Sequence, residues 1–102
     1  MKYKSYGLKK LEDKRYSVFT RDLDVCYFCG KPRADLHEIL YGKNRSNSMK
    51  LGYVLPLCRE HHQSFHKNHV LTKIWCAKCQ EKFEKNKSRE EWISIFHRNY
   101  RQ

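Results

Sequence analysis

Nine residues near the middle of the chain, 58 to 66, contain four side chains of the kinds that bind metal ions. Cys58 and His61 have the two-residue gap that is typical of one half of a structural zinc site. His62 and His66 are four residues apart, so in a helix their imidazoles face the same side. The segment therefore indicates one metal that stabilises the fold and a second metal that takes part in chemistry.

A second half of a zinc site lies upstream, where Cys26 and Cys29 form a Cys-x-x-Cys pair followed by Gly30. The glycine permits the backbone conformation in which amide groups point at thiolate sulfur. This pair and the downstream half-site together offer four ligands of the types that zinc prefers. We therefore expect a structural Zn²⁺ held by Cys26, Cys29, Cys58 and His61.

The remaining cysteines, Cys76 and Cys79, have the same spacing and form a competing pair. One alternative is a four-cysteine site that they would build with Cys26 and Cys29. However, Cys79 belongs to an apolar stripe that recurs every four residues and includes Trp75, so it is interpreted as a core residue. Cys76 is then an unused thiol.

Composition limits the classes of protein to which the chain can belong. Its 102 residues suit one small domain, for which a bound metal would help folding. No apolar run reaches membrane-spanning length, and no signal peptide is visible, so we expect a soluble cytoplasmic protein without a membrane partner. The formal net charge of +11 favours a polyanionic partner, most simply nucleic acid. Charge alone does not separate DNA from RNA or from an acidic protein.

The hydrophobic pattern predicts a strand, a long loop, a second strand and then helices. Residues 1–14 read as a basic segment that is at best partly ordered. Two strands are expected to pair antiparallel, and the helix that carries the three histidines begins near Cys58. Ser88 is predicted to open a last helix through a capping box. The predicted strands cover 15–20, 35–41 and 53–57, the loop covers 42–52, and a helix covers 70–85.

This order of motifs resembles HNH endonucleases, in particular the small phage-type members with a His-Glu-Ile segment. The resemblance rests on Cys26-x-x-Cys29, on His37-Glu38-Ile39, and on Leu57-Cys58 followed by His61-His62. It implies an α+β fold whose ββα-metal core covers residues 15–68, with a helical extension over residues 69–102. It also implies metal-dependent hydrolysis of DNA phosphodiester bonds, in the bacterial host cell if the gene is carried by a phage.

The resemblance also assigns roles at the catalytic metal. His62 matches the final motif histidine, a ligand of a divalent cation (Mg²⁺, Mn²⁺, Ni²⁺ or Zn²⁺), and His66 matches the extra histidine of colicin-type nucleases. His37 falls on a metal-ligand position and Glu38 on the general-base position. The alternative, which we favour, makes His37 the base, because an imidazole titrates near neutrality. Asp35 or Glu38 would then support the metal.

Two further groups complete the predicted site. The family's middle asparagine usually lies where Tyr53 stands, and Asn44 is the predicted substitute because it lies between Lys43 and Arg45. Basic side chains predicted to contact DNA phosphates are Lys43, Arg45, Lys50 and Arg59. The resemblance leaves open a homodimer or a larger phage or recombination assembly.

Two functions without catalysis remain as alternatives. One is an inactive zinc-stabilised module that binds nucleic acid, which the unusual His37-Glu38 pair and the displaced asparagine would suit. The other is a zinc-bearing adaptor that recruits a protein through the C-terminal helices.

Overall fold

A two-stranded antiparallel sheet with one helix across it forms the centre of the fold. The computed structural model describes residues 6–101, apart from the side chains of Tyr6 and Leu8. Strand β1 (Asp35–Glu38) pairs with β2 (Val54–Leu57), so that His37 faces Leu55 and Asp35 faces Leu57. All four residues of β2 are buried, whereas burial varies along β1. The predicted antiparallel hairpin is confirmed.

Helix α3 (Arg59–Lys67) follows β2 directly, with Cys58 as its extended N-cap residue. The helix presents Phe65, which is buried and contacts the His37 ring on β1 at 4.6 Å between ring centroids. The predicted start of this helix near Cys58 is confirmed. Together β1, β2 and α3 form the expected ββα arrangement, and the α+β class is also confirmed.

The connection between the strands is helical, so the predicted loop over 42–52 is wrong for most of its length. It contains a 3₁₀ turn (Gly42–Asn44) and helix α2 (Arg45–Lys50). Ser48 is fully buried, where its Oγ accepts from the Leu40 amide at 3.2 Å and donates to the Tyr53 carbonyl at 2.7 Å. The Ser48 hydroxyl thus connects the end of β1 to the start of β2. The polar composition of segment 42–52 could not reveal this connection.

The N-terminal predictions also need correction. Residues 6–13 form helix α1 (Tyr6–Asp13), although segment 1–14 was predicted to be partly ordered at best; residues 1–5 lie outside the described part of the chain. Segment 15–20 is not a strand. The Val18 amide donates to the Gly52 carbonyl at 2.9 Å, and the Phe19 ring packs at 5.3 Å from Trp75. Phe19 thus packs against the core, whereas Tyr16 is exposed and its hydroxyl donates to the Lys50 carbonyl.

The C-terminal half contains helices α4 (His69–Glu84) and α5 (Arg89–Phe96), close to their predicted places. Ser88 and Glu91 form the predicted capping box, and His97 ends α5 with a φ of 63°. Trp92 is fully buried against Tyr53 and Phe96. Residues of α4 and α5 thus share one hydrophobic core with the hairpin. Within residues 6–101, no helix has both the length and the apolarity needed to cross a membrane.

Candidate metal centres and active site

Four side chains from two places in the chain converge into a closed thiolate and imidazole group. Their ligand atoms all lie within 4.8 Å of one another. His61 Nδ1 is 3.2 Å from Cys58 Sγ and 3.4 Å from Cys26 Sγ, and Cys29 Sγ is 3.8 Å from Cys58 Sγ. We call Cys26, Cys29, Cys58 and His61 the cysteine group. Its donor types and number fit a tetrahedral structural metal such as zinc.

The backbone around Cys26 prepares its sulfur for a cation. Gly30 has a φ of +75°, and its amide donates to the Cys26 carbonyl at 3.0 Å, which closes the turn. Burial alone would raise the pKa of the Cys26 thiol, but backbone amides of Cys58, Phe28 and Cys29 outweigh it and lower the pKa to about 6. The thiolate that a metal needs is therefore already favoured by the fold.

The competing cysteines lie elsewhere. Cys79 is fully buried and Cys76 is 1% exposed, and both belong to the hydrophobic core. Cys76 Sγ contacts the Ile39 carbonyl at 3.7 Å. Burial raises the pKa of Cys76 to about 11, so this thiol stays protonated at neutral pH. Cys79 is accordingly a core residue, as predicted, and neither thiol belongs to the cysteine group.

Three imidazoles converge on the other side of α3. The ring of His62 lies 4.7 Å from that of His66 and 5.2 Å from that of His37, and His37 and His66 are 6.4 Å apart between centroids. We call these residues the histidine group. The one-turn spacing on α3 brings His62 and His66 together, and strand β1 directs His37 towards them. Among residues 6–101, the cysteine group is the only set of three or more His, Cys, Asp or Glu side chains whose ligand atoms lie close enough together to hold one metal ion.

The surroundings of His37 are dry. The residue is 9% exposed, and its Nε2 atom is buried with no hydrogen-bond partner among the residues that the structure describes. Burial lowers the pKa of His37 to about 4, with smaller contributions from His62 and His66. The imidazole is therefore neutral at pH 7, and one of its two ring nitrogens has no partner in the described part of the chain. That is the state in which histidine binds a metal ion.

Asp35 at the start of β1 orients a second member of the histidine group. Its Oδ2 lies 3.0 Å from His62 Nδ1, so the ring donates this proton and leaves Nε2 as its acceptor. A carboxylate behind a ligating imidazole is the usual support in metal sites. The structure thus brings Asp35 to His62. This position is compatible with the alternative in which Asp35 supports the metal.

A cleft of about 220 Å³ opens beside the histidine group. It is lined by His37, Tyr41, Phe65, His66, His69 and Thr72. His69 is exposed, and its position at the start of α4 brings it to this cleft. Its three-residue distance from His66 is the signal that could have found it. An exposed imidazole there can contact a phosphate oxygen or exchange a proton with water.

Comparison with known proteins assigns the chain to a family. A family model described as "Putative HNHc nuclease" matches residues 4–98, almost the whole sequence. The chain belongs to this HNH nuclease family. Comparisons with curated proteins and with solved structures found no significant match. Family membership supports a nuclease function, with nucleic acid as the substrate.

In this member of the family, Glu38 is placed away from the histidine group. Successive side chains of a strand point to opposite faces, so Glu38 and His37 cannot both face α3. Glu38 Oε1 accepts from Arg45 Nε at 2.7 Å and from Arg15 at 3.4 Å, and its side chain is only 10% exposed. Arg45 also pairs with Glu12. These contacts argue against Glu38 as a general base and for a role in joining α1 and α2 to the sheet.

Two other residues that the sequence assigned to the site, Asn44 and Arg45, also have structural partners. Asn44 donates from Nδ2 to the Phe96 carbonyl at 3.2 Å, which ties the start of α2 to the end of α5. Arg45 is held by Glu38 and Glu12, so it is less available to a phosphate than its sequence position suggested. The other predicted phosphate contacts are exposed and have no ion pair within residues 6–101; these are Lys43, Lys50 and Arg59.

Proposed function

We propose that this chain is a metal-dependent endonuclease that hydrolyses DNA phosphodiester bonds at the histidine group. One observation carries the proposal: three imidazoles converge beside a cleft, in a ββα unit that belongs to a nuclease family. A bound divalent cation would neutralise the phosphate and stabilise the leaving 3′ oxygen. The basic charge of the chain suits a polyanionic substrate.

Each member of the histidine group has a different role in binding the cation. Asp35 fixes the His62 ring so that Nε2 faces the group, and His66 follows one helical turn later. His37 adds a neutral, dry imidazole whose Nε2 atom has no partner in the described chain. A base is most effective when its pKa is near the working pH. The low pKa of His37 therefore favours a third ligand over the general base that the sequence suggested.

The cysteine group serves a different purpose in this proposal. It joins the turn at Cys26 to the start of α3 at Cys58 and His61, directly before His62. A zinc ion at this position fixes where the helix begins. The two members of the histidine group on α3, His62 and His66, are positioned as a consequence.

Plasmid nicking tests the activity. Supercoiled DNA is incubated with the purified full chain and Mg²⁺, Mn²⁺ or Ni²⁺, with and without a chelator. We expect nicking that requires the cation and falls by roughly 100-fold or more in His62→Ala, because removal of a ligand should cost more than the 10- to 100-fold loss of a supporting residue. His97→Asn is the matched control, since His97 is exposed on α5 and asparagine tolerates its positive φ.

His37→Ala separates the two roles of that residue. Loss of a ligand weakens cation binding in calorimetry, whereas loss of a base leaves binding intact and lowers only the rate. Nicking that persists in His62→Ala would contradict the proposed site. DNA binding at low salt without nicking under any of the three cations would instead identify a module that binds nucleic acid without cutting it.

A further inference from the structure

A second cavity lies beside helix α4 and the turn between Cys26 and Cys29. Its volume is about 210 Å³, and three aromatic rings line it: Phe19, Tyr27 and Trp75. The Phe19 and Tyr27 rings stand at 84° and 89° to the indole, with centroids 5.3 and 5.6 Å from it. The Trp75 indole thus forms the base of the cavity, and the Phe19 and Tyr27 rings form two of its sides. Tyr27 is 40% exposed, so its ring is accessible to a ligand.

Basic side chains surround this aromatic cavity. Lys78, Lys82 and Lys85 line it along one face of α4, together with one carboxylate from Glu81. The Lys78 ammonium lies 5.4 Å above the Trp75 ring, and that of Lys82 lies 5.5 Å above Phe19. These flexible side chains cover ring faces that a planar ligand would use. Displaced outward, their ammonium groups would reach anionic groups on either side of such a ligand.

The cavity is close enough to the histidine group to contact the same nucleic acid strand. Phe65 connects them, because its ring lies 4.6 Å from His37 and 6.5 Å from Trp75. Tyr27 lies between two residues of the cysteine group and directly contacts Trp75. A strand bound at the histidine group would therefore have to extend only past Phe65 to reach this cavity.

We infer that the cavity of Phe19, Tyr27 and Trp75 binds an unpaired nucleobase of the substrate, with its neighbouring phosphates on Lys78, Lys82 and Lys85. Aromatic platforms beside basic side chains are the general means of binding single-stranded nucleic acid. The cavity is smaller than the roughly 300–1,000 Å³ that encloses a drug-sized ligand, which suits one planar base. The inference rests on the proposed function and makes its substrate a DNA with unpaired bases near the cut.

Binding can be measured without cleavage. Fluorescence anisotropy of the zinc-loaded full chain, with no added Mg²⁺, Mn²⁺ or Ni²⁺, would use a labelled 12-nucleotide single strand of mixed sequence. The same sequence as a duplex and as RNA provides the comparison arms. Tyr27→Leu should weaken single-strand binding roughly 5- to 100-fold, the range expected for loss of one stacking contact, and should change duplex binding less than about twofold.

Matched variants isolate stacking and charge. Tyr27→Phe keeps the ring and should bind within about twofold of the wild type. Lys82→Gln should lower the salt dependence of single-strand binding by about 0.7 in the logarithmic slope, whereas Lys10→Gln on α1 removes the same charge at a distant exposed position and should leave the slope unchanged. Zinc content and the unfolding midpoint of each variant verify the fold.

The outcomes separate this inference from the proposed nuclease activity. If Tyr27→Leu binds the single strand as well as the wild type, or loses duplex binding equally, the base site is wrong while nicking can still occur. If Tyr27-dependent binding holds but no nicking occurs, the base site stands and the nuclease proposal fails. Equal dependence on Tyr27 for DNA and RNA would identify the bound unit as the base itself, whereas no binding of any nucleic acid would overturn both proposals.

Discussion

The cysteine group and the histidine group share one helix but differ in how completely the chain brings their side chains together. The cysteine group has its four ligand atoms within 4.8 Å of one another, and two of its thiols are buried. The histidine group has ring centroids 4.7–6.4 Å apart beside an open cleft. A closed set suits a metal that stabilises the fold, whereas an open set leaves room for a substrate. The degree of closure therefore distinguishes structure from chemistry.

The cysteine group and the histidine group diverge at two adjacent residues of α3, His61 and His62. Consecutive side chains of an α-helix point about 100° apart, so His61 turns towards Cys26 and Cys58 while His62 turns towards His37. His66 returns to the side of His62 after one turn. Helix α3 can therefore supply both groups because it begins at Arg59, directly after Cys58, so that His61 and His62 both fall in its first turn.

Removing a ligand from the cysteine group should have the largest effect. In Cys26→Ser, we expect bound zinc to fall well below one per chain, because three ligands hold zinc far less tightly than four. Since zinc binding contributes directly to folding in small domains, the free energy of unfolding should fall by roughly 3 kcal/mol or more, a loss of about 12–24 °C in the midpoint. Metal analysis and thermal unfolding would measure both quantities.

Cys76→Ala provides the control for that prediction. Cys76 is equally buried but lies outside the cysteine group, so the variant should lose some packing energy and retain its zinc. If both variants kept zinc, or both lost it, the assignment of the four ligands would be wrong.

A change at the histidine group should affect cation binding and leave the fold intact. Asp35→Asn removes the charge behind His62 Nδ1, and the Asp35 side chain is about half exposed. Loss of such a support should weaken binding of Mn²⁺ or Ni²⁺ by about 10- to 100-fold, with zinc content unchanged. Calorimetry with a zinc-loaded protein would measure this effect.

Asp13→Asn on α1 is the matched control, because it removes the same charge from an exposed position. Equal weakening in both variants would show a general electrostatic effect of net charge. In that case, Asp35 would have no specific role in orienting His62.

Much of this architecture could be predicted because it depends on local patterns. The capping box at Ser88, the start of α3 at Cys58 and the spacing of the cysteine group all follow from residues close in sequence. Helix α2 could not be predicted in the same way, since the burial of Ser48 depends on Leu40 and Tyr53 in the two strands. The prediction of a strand over 15–20 was wrong for a related reason. These β-forming residues pair with no strand in the described part of the chain and contact their neighbours individually.

The histidine group was only partly visible in the sequence. Helical spacing was enough to join His62 with His66, and the family resemblance added His37. The resemblance did not reveal that alternation along β1 separates Glu38 from His37, although that consequence follows from strand geometry alone. The approach of His69 to the cleft depends on where α4 begins after α3, a tertiary feature that spacing does not determine.

The smallest expected effect concerns Glu38, and it determines whether this residue belongs to the histidine group at all. Glu38→Gln keeps the shape of the side chain but removes the charge that faces Arg15 and Arg45, so unfolding should become easier by about 1–2 kcal/mol. Nicking by the folded protein should stay within roughly threefold of the wild type, because general-base catalysis typically contributes 10²–10⁴-fold and Glu38 would not supply it. A loss of nicking rate in that larger range, with unchanged stability, would instead support Glu38 as the general base. Rate and unfolding midpoint measured on one preparation therefore distinguish an ion pair that joins α1 and α2 to β1 from a catalytic carboxylate.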